Sequence, residues 1–78
     1  VLDDLGWQHY FLGQYNEAKI VLERALKIRQ RHYGANHIKT SDVQHILGLV
    51  YLHLNTYDKA KHQLENALAT LEKHYGSD

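Results

Sequence analysis

The chain has no cysteine and no proline. Without cysteine, no disulfide can staple a small fold and no thiolate can hold a metal. The same absence fits a reducing compartment, so a cytoplasmic, intracellular location is expected. Without proline, no residue breaks a helix from within by removing its N–H. An excess of one charge is missing too: nine Lys and Arg balance nine Asp and Glu, for a formal net charge of zero. That balance argues against a generic grip on nucleic acid or anionic lipid, and neither partner is expected. The basic residues Lys27, Arg29 and Arg31 do gather, but at a helix end where such charges are usually solvated. No apolar run approaches the roughly 18 residues of a membrane span. Ser41 and Ser77 are the only serines, and neither stands in a nucleophile motif. No phosphate-binding glycine loop is present. The chain is therefore not read as an enzyme, and no cofactor is expected. Asp42, His45 and His53 share one predicted helix face, but show no compact three-ligand spacing, so no metal is expected either.

What is present is repetition. Leu5 to Ala18, LGWQHYFLGQYNEA, returns 42 residues later as Leu47 to Ala60, LGLVYLHLNTYDKA. Leu5, Gly6, Leu12, Tyr15 and Ala18 recur as Leu47, Gly48, Leu54, Tyr57 and Ala60. The register holds further on, through Leu22-Glu23 with Leu64-Glu65, Ala25-Leu26 with Ala67-Leu68, and His32-Tyr33-Gly34 with His74-Tyr75-Gly76. Of 36 aligned pairs 14 are identical, a density at one fixed offset that marks a repeat array. Each unit of such an array buries its apolar face only against a neighbour.

Apolar residues recur at helical spacing, which predicts four helices and no strand. They cover about residues 1–12, 15–33, 37–54 and 57–75, with repeats at 1–36 and 37–78. The predicted core stripes are Val1, Leu5, His9 and Leu12; then Ala18, Val21, Leu22, Ala25, Leu26 and Tyr33. The third is Val43, Leu47, Val50, Tyr51 and Leu54, and the fourth is Ala60, Leu64, Ala67, Leu68, Leu71 and Tyr75. Gly13 and Asn55 are expected to stop the first and third helices in the left-handed conformation both tolerate. Asn36 and Thr56 are expected as N-caps. Turns of two or three residues force antiparallel hairpins. Gly6 and Gly48 sit inside helices, where glycine costs about 1 kcal/mol against alanine. That repeated cost predicts close helix contact, with Ala18, Ala60, Ala25 and Ala67 as matching shallow points. Tyr15 and Tyr57 are expected to plug the hairpin ends.

Leu47, Gly48, Tyr51, Asn55, Tyr57, Ala60 and Ala67, with Leu5, Gly6, Gly13, Tyr15, Ala18 and Ala25, resemble the tetratricopeptide repeat. His9 stands where that pattern has Tyr, and Leu2 and Gln44 stand where it often has Trp. The usual period is 34 residues. The unit of 42, with Gly34-Ala35-Asn36-His37 after the second helix, resembles the repeats of kinesin light chains, although Ile38 replaces the usual proline. The resemblance covers essentially the whole chain. It implies an all-α fold of two antiparallel hairpins stacked as a short right-handed α-solenoid, serving as a scaffold for a protein or peptide partner. It places the binding surface on the first helices of the two repeats. There it assigns Asp3, Trp7, Tyr10 and Phe11, then Asp42, His45, Leu49, Leu52 and His53. Of these, Trp7, Tyr10, Phe11, His45, Leu49, Leu52 and His53 are the expected partner contacts. The alternative for Tyr10 and Leu52 is packing between neighbouring helices. Trp7 and Leu49 are expected to be dispensable for the fold when truncated together. A peptide-carboxylate clamp is not expected, since Asp3, Trp7, His45 and Leu49 occupy the places of its Lys and Asn.

A second expectation concerns the ends. The last predicted helix carries Leu64, Leu68 and Leu71 beside Tyr75, a wider apolar stripe than one neighbour needs. Val1 falls directly into a helical pattern, so the chain is expected to be a piece of a longer array. Otherwise Leu64, Leu68 and Leu71 would drive end-to-end self-association onto Val1, Leu2 and His9 of another copy, giving a homo-oligomer.

Overall fold

A computed structural model describes residues 2–75, with side chains from Leu5 onward. The roles expected of Val1, Leu2 and Asp3, and the break at Gly76 with Ser77 and Asp78, lie outside the described residues. Four helices form: α1 (Leu2–Phe11), α2 (Tyr15–Tyr33), α3 (Ile38–His53) and α4 (Tyr57–Tyr75). Among the described residues there is no strand, and no helix is long and apolar enough to cross a membrane.

The two hairpin turns are built alike. Gly13 and Asn55 have φ of +78° and +61°, as expected of helix stops. Beside them Gln14 N–H donates to the His9 carbonyl and Thr56 N–H to the Tyr51 carbonyl, both at 2.8 Å. Gly13 N–H reaches Tyr10 and Asn55 N–H reaches Leu52, which completes the same C-terminal motif in both repeats. The N-caps differ from expectation. The residue before α3 is His37, not Asn36, and its Nδ1 accepts from Lys39 N–H at 3.1 Å. Thr56 turns its hydroxyl back to the Leu54 carbonyl at 3.4 Å instead of capping α4 with it. Each repeat folds as a hairpin, α1 on α2 and α3 on α4, and α2 packs on α3 to join them.

Gly6 and Gly48 are the points of closest approach. A Cβ on Gly6 would lie 2.7 Å from Leu22 Cγ, and one on Gly48 would lie 2.6 Å from Leu64 Cγ. Both are closer than carbon atoms can pack, so glycine is required for the helices to meet there. Ala18, Ala25, Ala60 and Ala67 are all buried beneath them.

Helix α3 lies between α2 and α4, and its burial extends well beyond one stripe. Val43, Leu47, Val50 and Tyr51 are buried as expected, but so are Ile46, Thr40, Ser41 and Gln44. Of the polar residues, Thr40 ties α3 to the end of the first repeat, while Ser41 bonds within the first turn of α3. Thr40 Oγ1 donates to the Gly34 carbonyl at 2.8 Å, and Ser41 Oγ to Ile38 at 2.7 Å. Arg29, which interrupts the stripe of α2, donates to the Lys39 carbonyl at 2.8 Å.

Helix α1 has α2 on one side and only a slight contact with α3 on another. The expected core residues Leu5 and Leu12 are therefore 44% and 72% exposed. At the other end the α4 stripe is wider than its one neighbour covers, as expected. Leu68 is 57% exposed and Tyr75 71% exposed, while Leu64 and Leu71 are half-buried. Tyr57 plugs nothing: it is 61% exposed and donates its hydroxyl to Asn55 Oδ1. Its counterpart Tyr15 is half-buried, because the end of α3 lies against it.

Candidate functional site

Residues four apart on a helix share a face. Trp7 and Phe11 do so on α1, and their rings stack with centroids 5.5 Å apart. Tyr10 meets both edge-on, at 6.3 Å from Trp7 and 5.6 Å from Phe11. Such offset and edge-to-face contacts set a negative ring face against a positive edge. The cluster crosses from the first repeat to the second through His53. The imidazole lies 5.5 Å from the Tyr10 ring, and its Nε2 is 3.3 Å from the Tyr10 hydroxyl. Tyr15 stacks on His53 at 4.4 Å, nearly parallel, and also meets Tyr10 edge-on at 5.8 Å.

The structure thus brings Trp7, Tyr10, Phe11 and His53 together, as the positions implied, and adds Tyr15. Tyr15 was assigned to packing alone, because it belongs to the second helix of its repeat. Its part in the surface depends on the end of α3 arriving beside it. Its presence at the same repeat position as Tyr57 did not distinguish the two. Leu49 and Leu52 lie on α3 one turn apart, Leu49 half-buried against the core and Leu52 39% exposed. His45 is exposed, and among the described residues no ring contact or hydrogen bond ties it to the aromatic cluster. Asp42 is exposed as well. No three His, Cys, Asp or Glu among the described residues come together as a metal site.

Exposure sorts the cluster. Phe11 is 74% exposed, although two aromatic neighbours and helical spacing fix its place. Trp7, Tyr10, Tyr15 and Leu49 are partly buried and pack on the core formed by Leu22, Val43, Leu47 and their neighbours. Trp7 and Leu49 therefore belong to the fold as well as the surface. The expectation that both can be truncated cheaply does not hold.

A recess of different character lies between α2 and α4. It is floored by Leu47 and Tyr51 and edged by Glu23, Lys27, Gln30 and Gln63. Its one carboxylate is engaged, because the Tyr51 hydroxyl donates to Glu23 Oε2 at 2.7 Å. Burial first, then the bond to Glu23 and its charge, push the Tyr51 phenol well above its ordinary value.

A family model described as tetratricopeptide repeat matches residues 2–73. No curated protein matches the chain.

Proposed function

The chain belongs to the tetratricopeptide repeat family, a family of interaction scaffolds, and on that footing we propose that it binds a peptide or helix of a partner protein across α1 and α3. The observation that carries the proposal is the aromatic cluster. Phe11 is 74% exposed yet held against Trp7 and Tyr10, so it can bury a large apolar surface at little cost in rotamer freedom. Aromatic residues held in this way are the usual anchors of interfaces. An apolar anchor of the partner meets Phe11 and Trp7, and Leu49 and Leu52 extend the surface along α3. His53 supplies the polar contact. Its Nε2 is engaged with the Tyr10 hydroxyl, which leaves Nδ1 as the ring nitrogen that faces a polar group of the partner. His45 marks the far end of the same surface. The role is non-catalytic, and the cytoplasm is its proposed setting, on the absence of cysteine. The 42-residue spacing supports the longer variant of the repeat that resembles kinesin light chains.

The test is selection of binders from a displayed peptide library on the 78-residue chain, followed by calorimetry with the winning peptide. Phe11→Ala is expected to weaken binding by roughly 10-fold or more, as anchors do. Its urea midpoint should be unchanged, because Phe11 is exposed. A peptide that binds wild type and Phe11→Ala equally places the site elsewhere, on the α2 and α4 side.

A further inference from the structure

The repeat supplies an internal standard for every exposed residue at the ends of the stack. Leu5 and Leu47 occupy the same place in their repeats, yet one is 44% exposed and the other fully buried. Leu26 and Leu68 also correspond, at 8% and 57% exposed, and Leu22 is fully buried where Leu64 is half-buried. The side chains are identical; only the neighbouring helix differs. Leu22, Leu26, Val43 and Leu47 form one core cluster along the α2–α3 seam. So α4 presents the apolar residues that α2 offers to α3, and α1 presents the Leu that α3 offers to α2. One molecule therefore carries the leucines of both halves of that seam at opposite ends, with Asp4 and Gln8 standing in α1 where α3 has the buried Ile46 and Val50.

We propose that α1 of a second copy covers the outer face of α4, continuing the seam between α2 and α3, and that this joint tightens as pH falls. The second part follows from where the copies of the seam differ. At its centre the Tyr51 hydroxyl bonds Glu23. Displaced by one repeat, the pair becomes His9 against Glu65 of the other copy. In the free chain His9 Nδ1 lies 2.6 Å from Gln14 Oε1, so Nε2 is the nitrogen that turns to the newcomer.

The charges around that pair change as well. Tyr51 has Lys59 from its own hairpin, with Nζ 5.9 Å from the ring centre, while Lys27 and Gln30 edge its recess from α2. The repeat equivalents are Glu17, Ala69 and Glu72. Asp58 and His62, which also line a recess at Tyr51, become Asn16 and Ile20. The cations Lys61 and Lys73 of α4 correspond to Lys19 and Arg31, neither of which edges the recess between α2 and α4. At the joint His9 thus meets carboxylates from two elements, Glu17 from its own α2 and Glu65 and Glu72 from the second copy, and no cation replaces the lysines. A histidine that gains carboxylate neighbours holds its proton more tightly in the complex than alone. The extra association is complete below the ordinary imidazole range and is lost as pH rises through it. The glutamates must stay ionised, so the window runs from about pH 5 to about pH 8.

Sedimentation of the 78-residue chain over a dilution series, at about pH 8 and about pH 6, tests both parts. The expected result is a mass that grows with concentration, with association on the order of 10-fold stronger at the lower pH, the effect of a unit shift in one group. Leu68→Glu should leave a monomer with unchanged helical circular dichroism, since Leu68 is exposed in the free chain. His9→Tyr should associate equally at both pH values. A monomer at every concentration, or association untouched by Leu68→Glu, overturns the joint. Association that is indifferent to pH, or that strengthens as pH rises, overturns the role of His9. The peptide site is independent of these outcomes, because Phe11→Ala should associate as wild type does.

Discussion

Two glycines show how one residue type can carry different costs. A methyl group favours helix by about 1 kcal/mol over glycine, yet at Gly6 and Gly48 it would collide with Leu22 and Leu64. Leu22 is fully buried and cannot retreat, whereas Leu64 is half-buried and can swing outward. Gly6→Ala is therefore expected to lower stability by roughly 1–3 kcal/mol, the usual range for overpacking. Gly48→Ala should cost clearly less. Equal urea midpoints for the two variants would refute the close-packing account. Gln44 is a residue that sequence reasoning left off every core list. It is buried, and its Oε1 has no hydrogen-bond partner in the protein. A buried acceptor without a partner costs about 1–3 kcal/mol, so Gln44→Leu should raise the urea midpoint. A lower midpoint would mean that the amide is satisfied. The close approach at the glycines was legible, because a repeated cost implies a repeated reason. The burial of Gln44 was not, because one polar residue off the stripe looks the same whether or not a helix lies above it.

Helix α3 carries the energetics of the join. Its start is tied to the end of α2 through Thr40, Gly34, Arg29 and Lys39, and its middle through Tyr51 and Glu23. Thr40→Val keeps the shape and removes the hydroxyl, so a loss of about 1 kcal/mol is expected in urea denaturation. Tyr51 links the join to pH. Its phenol is raised in the fold by burial and by Glu23, while in the unfolded chain it titrates near 10. A raised group contributes its stability in full below the unfolded value and loses it as pH climbs. Stability should thus fall as pH rises above about 10, and Tyr51→Phe should flatten that fall. A variant with the same alkaline slope as wild type would show that Tyr51 is not its source. The existence of α3, and its end at Asn55, could be read from spacing and residue type. Its all-round burial could not, since periodicity reports one favoured face and α3 has neighbours on two.

At the scale of the molecule, position in the stack decides what a residue is worth. Leu47→Ala empties a fully buried site and should cost about 2–5 kcal/mol. Leu5→Ala, at the same repeat position but 44% exposed, should cost well under half of that. The comparison belongs at concentrations where the chain is a monomer. If the two costs match, α1 is covered in solution by something that this fold does not show.

The sequence by itself determined four helices, their stops at Gly13 and Asn55, the hairpin turns and the paired glycines. These depend on neighbours within a few residues, or on a pattern that the chain states twice. It also placed Trp7, Tyr10 and Phe11 on one face, because helical spacing alone does so. Only the tertiary structure decided which of two identical leucines is core and which is surface, and that Tyr15 closes on His53 while Tyr57 stands in solvent. The repeat makes the halves alike in sequence, but burial depends on what lies on the far side of each helix. That neighbour is set by order in the stack, which no local pattern records.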